Sequence, residues 1–205
     1  MELREAIRQR RMVRRFDPSQ PVPSAVLARV LELAVRAPSA GFSQGWDFVV
    51  VRSEQDRAAY WTATTDPCSP ADAWLRGVSG APVLILCCSD KERYLDRYAE
   101  PDKPWPDRSE DHWPVSYWDV DTGMAAMLML LGAVDEGLGG LFFGVPGDRM
   151  AAVHELFAVP TTHHLVGVIA LGYPTEDRPS ARTRRRERRP PSEVFHDGHF
   201  GTPLL

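Results

Sequence analysis

The sequence predicts one domain built from both helices and strands, and three observations support this. The chain has 205 residues, of which 43% are hydrophobic, enough for one sizeable core but hardly for two full domains. Apolar residues recur at helical spacing in several segments, which indicates helices with one buried face. Four short apolar runs are typical of buried strands. They lie at residues 48–51, 81–88, 138–146 and 165–172.

Charge and composition exclude several classes of partner. The net charge is −4 and the pI is near 5.9, so no overall basic field would draw the chain to nucleic acid or to an anionic membrane. No segment approaches the roughly 18 apolar residues that a membrane span needs, and residues 1–8 are charged where a signal peptide would be apolar. Cys68, Cys87 and Cys88 are an odd number of cysteines and are interpreted as reduced thiols. We therefore expect a cytoplasmic protein.

The first helix is predicted over residues 1–11, and it continues into a basic segment. Four of the six residues from 10 to 15 are arginines. Guanidinium groups suit bidentate recognition of phosphate, and alternation along an extended segment would send Arg10, Met12 and Arg14 to one side. The segment is therefore a candidate phosphate site, and an ordinary basic surface patch is the alternative.

Later helix starts are marked by residues that favour N-caps. The predicted caps are Ser24 before helix 25–36, Ser53 before a helix through Trp61, Asp119 or Asp121 before helix 122–135, and Asp148 before a helix to about residue 158. Gly137 suits a left-handed C-cap at the end of helix 122–135. Residues 67–80 are mixed in character and allow no assignment.

The loop at residues 37–46 is a second candidate site. Pro38 ends the preceding helix, and two glycines let another molecule approach the backbone. Ser39 and Gln44 offer groups that donate and accept hydrogen bonds. Such a loop could contact a flat heterocycle rich in donors and acceptors, and an ordinary helix-to-strand connection is the alternative.

Residues 89–118 form a charged, Pro-rich excursion that contains six tyrosines and tryptophans. Such a segment is not expected to build a core of its own, so its planar side chains would cover something else. A lid or pocket wall is the first interpretation, and an arm that contacts a second subunit is the other.

The helix predicted at residues 122–135 is apolar on nearly every face. A chain of this size rarely surrounds a helix completely, which favours a homodimer. The glycine-punctuated strand at 138–146 has a backbone that can be approached closely, but it lacks the strand-then-helix context of a dinucleotide-binding fingerprint.

The remaining polar motifs are weaker. His163 and His164 are adjacent, so their side chains diverge along a strand and cannot chelate a metal as a close pair. No other metal-ligand spacing is seen. The Arg-rich arm at about 178–205 is interpreted as a solvated tail or, as an alternative, a nucleic-acid patch, which the overall charge opposes.

Taken together, these motifs resemble the FMN-dependent nitroreductase family over nearly the whole chain. Five segments match in the family's order: RRMVRRF at 10–16 with PVP at 21–23, APSAGFSQGWDF at 37–48, GLG at 137–139, LGYP at 171–174 and RERRP at 186–190. The resemblance implies a single α+β sandwich with a central, mostly antiparallel sheet flanked by helices. It also implies an intertwined homodimer with two FMN molecules at the subunit interface.

The resemblance also implies which residues bind FMN. Arg10, Arg11, Met12 and Arg14, with Arg186 and Arg188 from the tail, would lie at the phosphate and ribityl chain. The other FMN contacts it implies are Pro38, Ser39 and Ala40 of the partner subunit, Gln44, and the backbone of Phe142, Phe143 and Gly144. Substrate-facing residues are expected to be Phe42, Trp113, Tyr117 and Trp118.

The implied reaction is ping-pong hydride transfer from NAD(P)H through FMN to a small acceptor such as a nitroaromatic or a quinone. No side chain needs to act as a general base, so no catalytic residue is assigned. The alternatives are a store or sensor with little turnover that binds FMN or another flavin-like cofactor such as the deazaflavin F420, a dehalogenase-like relative, and a flavin-fragmenting relative.

Three positions depart from the family's pattern. The family often has Ser at Met12, Asn at Phe42 and Pro at Gly45, so the cofactor side of this chain is less polar. The flavin-fragmenting relatives resemble the chain at residues 41–44, but they carry Asp at Met12 and Ser at about Phe142. The chain has neither polar group, which argues against that activity.

Overall fold

The computed structural model describes residues 1–66, 68, 70–175 and 187–204, and the chain divides into the units Met1–Thr175 and Glu176–Leu205. In the described part of the larger unit, the helices are α1 (Leu3–Gln9), α2 (Ser24–Ala34), α3 (Glu54–Thr64), α4 (Ala73–Val78), α5 (Lys91–Tyr98), α6 (Tyr117–Asp135) and α7 (Met150–Leu156). The strands are β1 (Trp46–Val51), β2 (Val83–Asp90), β3 (Gly139–Phe143) and β4 (His163–Gly172).

The four strands form one antiparallel sheet in the order β1-β2-β4-β3. Successive residues of β2 enter different cores, because strand side chains alternate between faces. Ile85 packs in a cluster with Val30 of α2 and Met129 of α6. Leu84 packs in a second cluster with Tyr60 of α3 and Val153 of α7. The predicted α+β fold, with an antiparallel sheet between helices, is confirmed.

Two cysteines and two histidines lie on adjacent strands of this sheet. Cys87 and Cys88 are buried and unpaired, and desolvation raises the pKa of Cys88 to about 11. Their thiols therefore stay protonated core groups. His163 Nε2 lies 3.0 Å from Asp47 Oδ2 and His164 Nδ1 lies 2.9 Å from Asp119 Oδ1, so the predicted divergence of the two imidazoles is confirmed.

Helix α6 begins one turn before the predicted start. Its N-cap position is Ser116, so the prediction that Asp119 or Asp121 caps the helix is wrong. The apolar surface of Trp118 extends the buried stripe toward the N-terminus, which brings both aspartates inside the helix. At the other end Gly137 has φ +72°, and the Leu138 N–H donates to the Ala133 carbonyl at 2.7 Å. The predicted left-handed C-cap is confirmed.

The other caps gave mixed outcomes. The Ser53 Oγ accepts from the Asp56 N–H at 3.0 Å, as predicted. Ser24 is the first residue of α2 and not its cap, because Pro23 occupies the N-cap position; the Ser24 hydroxyl accepts a hydrogen bond from Arg52. Asp148 lies in a 3-10 turn before α7 and does not cap that helix.

The excursion at 89–118 contains α5 and a cluster of aromatic rings, of which only Tyr94 and Trp118 are buried. Its six tyrosines and tryptophans pack mainly on one another, and Tyr98 and Trp113 have ring centroids 4.6 Å apart. The ring of Tyr94 is buried. The members of this aromatic cluster are Tyr94, Tyr98, Trp105, Trp113, Tyr117 and Trp118.

Gly45 fixes where the aromatic cluster meets β1. A Cβ at this position would lie 2.4 Å from Tyr94 Cε2 and 2.6 Å from the Asp90 carbonyl oxygen. The Tyr94 ring therefore occupies the space that any other residue would fill. This contact explains physically why the chain has glycine at a position where the family often has proline.

The described part of the smaller unit, residues 187–204, contains a 3-10 turn at Pro191–Glu193. The Arg189 guanidinium donates to the Glu193 carbonyl at 2.6 Å. The rings of His196 and Phe200 lie 4.4 Å apart. No helix among the described residues of either unit is long and apolar enough to cross a membrane.

We predict that Gly45→Ala lowers the free energy of unfolding by about 1–3 kcal/mol, because the added methyl group must displace a buried ring or backbone. The measurement is urea unfolding followed by circular dichroism. Gly147→Ala is the matched control, since a Cβ there meets nothing within 4 Å. Equal unfolding midpoints for the two variants would contradict the packing described for Gly45.

Candidate functional site

The Arg-rich segment is fixed along the edge of strand β3. The Val13 N–H donates to the Gly140 carbonyl at 3.0 Å, and Met12 forms a parallel bridge with Gly140. The half-buried Met12 side chain packs against both hydrophobic clusters. Arg10 remains half-buried, while Arg11 and Arg14 are exposed. The segment thus presents guanidinium groups from a backbone that the sheet holds in place.

Strand β3 ends in a backbone that is open to solvent. A Cβ at the exposed Gly144 would meet nothing within 4 Å. The two residues before it face inward: Phe142 covers Gly167, and Phe143 stacks on Trp61 with 5.9 Å between ring centroids. Their side chains are therefore used in packing, which leaves backbone groups as what this end of the strand can offer to a ligand.

The loop between α2 and β1 is strained. Gly41, Phe42 and Gln44 have φ values of +61°, +58° and +51°. Left-handed backbone is costly for residues other than glycine and persists only where the surroundings impose it. Phe42 is 75% exposed, and Gln44 is exposed as well. The loop therefore holds an aromatic ring and an amide toward solvent at a cost in backbone energy.

A buried carboxylate anchors this loop. Asp121 is 3% exposed, and its Oδ2 accepts hydrogen bonds from the Ala40 N–H and from the Tyr94 hydroxyl, both at 2.9 Å. Burial, followed by the neighbouring Asp121 carboxylate, raises the pKa of Tyr94, so the phenol remains a donor. Within the loop, the Ser39 hydroxyl accepts from the Gln44 N–H at 3.0 Å.

Asp121 and Tyr94 were missed by the sequence interpretation of the site. Asp121 stood before an apolar run and resembled a cap. The position of Asp121 in the helical pattern indicated burial instead, because it lies on the same side of the helix as the buried residues Thr122, Ala125 and Met129. A carboxylate at a buried position needs donors, and these donors come from parts of the chain distant in sequence.

Of the residues predicted to face substrate, Phe42 lies on the strained loop, and Trp113, Tyr117 and Trp118 belong to the aromatic cluster. Trp113 is half-buried, Tyr117 is 42% exposed and Trp118 is 8% exposed. The cluster adjoins the strained loop, because a Cβ at Gly41 would lie 2.6 Å from Tyr98 Cε2. Contact of these three side chains with substrate stays a prediction.

The tail contribution to the site also stays a prediction. Arg186 lies outside the residues that the structure describes. Arg188 is described and exposed, within the smaller unit.

Three possible metal ligands converge at the opposite face of the sheet, although the sequence showed no metal-ligand spacing. Asp47, Asp90 and His163 come from three strands, each with a ligand atom within 4.8 Å of the others. Each already has a protein partner: His163 pairs with Asp47, and Asp90 accepts from the Glu92 N–H and faces Arg93. The arrangement is explained without a metal ion.

Comparison with known proteins agrees with this architecture. The model of the Nitroreductase family matches residues 7–173. A curated protein of Methanothermobacter thermautotrophicus, named "Putative NADH dehydrogenase/NAD(P)H nitroreductase", is 28% identical over 86% of this chain and 80% of its own length. An NADH dehydrogenase of Thermus thermophilus is 28% identical over 86% of this chain and 89% of its own length.

Solved structures show the same fold. A nitroreductase family protein from Streptococcus pneumoniae has a TM-score of 0.70 at 21% identity, covering 96% of this chain and 100% of its own. An FMN-dependent nitroreductase from Clostridium difficile has a TM-score of 0.63 at 22% identity, covering 84% of this chain and 88% of its own. With the family model matching most of the larger unit, the chain belongs to the nitroreductase family and is an oxidoreductase.

Proposed function

We propose that the chain is a cytoplasmic, FMN-dependent oxidoreductase that transfers hydride from NAD(P)H to a small aromatic acceptor, such as a nitroaromatic or a quinone. The observation that carries the proposal is the Arg-rich segment held on β3, the strand that ends in the open backbone of Gly144. Family membership and the names of the relatives support it.

The residues present fit FMN. Arg10, Arg11 and Arg14 supply positive charge and several donors for a phosphate dianion, with Arg186 and Arg188 proposed to add to them. The exposed Gly144 leaves room for a planar ring to approach the backbone. In this proposal Pro38, Ser39 and Ala40 of the partner subunit line the ring, with Gln44 nearby.

Bound FMN would supply the redox chemistry, accepting a hydride from NAD(P)H and passing it to the acceptor. The chain's own groups would bind and orient. The guanidinium groups of Arg10, Arg11 and Arg14 would neutralise the phosphate, and backbone N–H groups at the end of β3 would donate to the ring. Phe42 and the aromatic residues Trp113, Tyr117 and Trp118 are proposed to form an apolar wall for the acceptor.

A homodimer is part of the proposal because α6 leaves apolar side chains uncovered. Val120, Met124 and Met127 lie at helical spacing on one face of α6 and are each about 40% exposed. Leu3 and Ile7 of the neighbouring α1 are also exposed. A second copy of the chain would remove this surface from water, in keeping with the apolar residues that α6 has on nearly every face of its 122–134 part.

The proposed dimer can be tested by introducing a charged residue on the exposed apolar face of α6. We predict that the wild-type chain sediments at twice its chain mass and that Met127→Glu shifts it toward monomer, because a carboxylate would be buried without donors. Met127→Leu is the control and keeps the dimer. A wild-type monomer in sedimentation equilibrium at micromolar concentration would contradict the proposed assembly.

The function itself is tested by an absorbance spectrum of the purified protein, followed by anaerobic additions of NADH and NADPH to the FMN-loaded form. We expect a flavin band that bleaches on addition of nicotinamide and returns with a nitroaromatic or a quinone. A band that neither nicotinamide bleaches would favour an F420-type donor, a specialised reaction or a storage role. A protein that binds no flavin would refute the assignment.

The phosphate site gives a separate prediction. Arg10→Gln and Arg11→Gln are each expected to weaken FMN binding about 10- to 100-fold, since each removes a charge-assisted hydrogen bond. Riboflavin, which has no phosphate, should bind the variants within about twofold of wild type. The measurement is fluorescence titration of both flavins, with the exposed Arg36→Gln as control. An equal loss for both flavins would argue against phosphate recognition by these arginines.

A further inference from the structure

Asp121 is a charged residue inside the helix that is otherwise the most apolar of the chain. Burying a carboxylate costs free energy unless donors compensate for its lost hydration. Both of its donors belong to other segments: the Ala40 N–H in the strained loop and the Tyr94 hydroxyl in α5. The carboxylate therefore joins α6, α5 and the loop at one buried point.

The carbonyl side of the same loop is also held. The Arg97 Nε donates to the Gly41 carbonyl at 3.0 Å. Arg97 is itself fixed by Asp102, whose two carboxylate oxygens lie 2.6 and 2.8 Å from the guanidinium nitrogens, and by Glu100 at 2.7 Å. Arg97 of the excursion is thus hydrogen-bonded to the Gly41 carbonyl, and Asp121 is hydrogen-bonded to the N–H of the preceding residue, Ala40.

Side-chain packing completes the hold. The Tyr98 ring fills the space beside Gly41, and the Tyr94 ring fills the space beside Gly45. The left-handed residues Gly41, Phe42 and Gln44 lie between or next to these fixed points. A strained backbone conformation of this kind persists only where the surrounding residues impose it. In this loop the surrounding residues are Tyr94 and Tyr98, together with Arg97 and Asp121.

We propose that Asp121, Tyr94 and Arg97 are positioning residues that hold the loop of residues 39–44 in its strained conformation, ready to meet a flavin. This inference rests on the proposed function for the identity of the ligand. It gives the excursion a role in holding the loop, in addition to the wall for the acceptor that is proposed above for Trp113, Tyr117 and Trp118. Pre-ordering the loop removes an entropic cost from binding.

Asp119 supplies a matched control from the same helix. It lies two residues before Asp121, and its Oδ1 accepts from the Ser89 hydroxyl at 2.7 Å and lies 2.9 Å from His164 Nδ1. It is a carboxylate with two partners at the same end of α6, but its partners belong to the sheet. Removal of Asp119 therefore disturbs a similar network without releasing the Ala40 N–H.

The first test is amide hydrogen exchange of the flavin-free protein, read by mass spectrometry on peptides that cover residues 38–45. We expect Asp121→Ala to speed exchange about tenfold, as loss of a hydrogen bond to a charged acceptor allows. Asp121→Asn keeps an acceptor and should recover part of the protection. Asp119→Ala should leave these peptides unchanged. Should Asp121→Ala fail to fold, Asp121→Asn and Tyr94→Phe carry the same test with smaller increases.

The second test is FMN titration, with the visible circular dichroism of the bound flavin as a probe of ring environment. In a wild-type protein that binds FMN, Asp121→Asn should weaken binding about tenfold and change this spectrum, whereas Asp119→Asn should do neither. Unchanged exchange in the Asp121 variants would overturn the inference. Faster exchange with unchanged FMN affinity would overturn the positioning role. If the wild type binds no flavin, the proposed function fails, and the exchange data alone then decide whether Asp121 holds the loop.

Discussion

A negative charge that is excluded from water must be matched by donors, and this requirement organises the region around the candidate site. The Asp121 carboxylate satisfies it with one backbone N–H and one phenol. Because the two donors come from segments far apart in the sequence, meeting the requirement fixes the mutual placement of α5, α6 and the loop before β1. Neutral core packing alone specifies such a geometry less sharply.

The sheet places the histidines and cysteines on its two faces and the Arg-rich segment at its β3 edge. Period-two alternation sends His163 toward Asp47 of β1 and His164 toward Asp119 of α6, and Cys87 and Cys88 enter different hydrophobic clusters. At the β3 edge, the unpaired backbone of an edge strand accepts the Arg-rich segment. An edge that would otherwise risk pairing with another chain is thereby covered by residues suited to anion binding.

Features with local causes were predictable from the sequence. The Ser53 cap, the Gly137 C-cap and the four strands depend on nearby residues, and all were recognised. Features that depend on tertiary contacts were not: Asp121 resembled a cap because its donors are distant in sequence, and the Ser24 hydroxyl bonds to Arg52 while Pro23 is the N-cap of α2. The mutual packing of the aromatic side chains in the excursion was not predicted either, because the segment is charged and Pro-rich and its rings meet only in the folded chain.

The Tyr94 ring fills the space beside Gly45, and this restricts the substitutions that the chain tolerates at position 45. Any residue other than glycine at position 45 brings a Cβ into the space of the Tyr94 ring and against a backbone carbonyl. The phenol of Tyr94 is in turn one of the two donors to Asp121. A substitution of Gly45 therefore costs stability while Tyr94 keeps its ring, and loss of the Tyr94 hydroxyl removes a partner from a buried charge. The three positions are coupled, so the effect of a change at position 45 depends on the residue that stands at position 94.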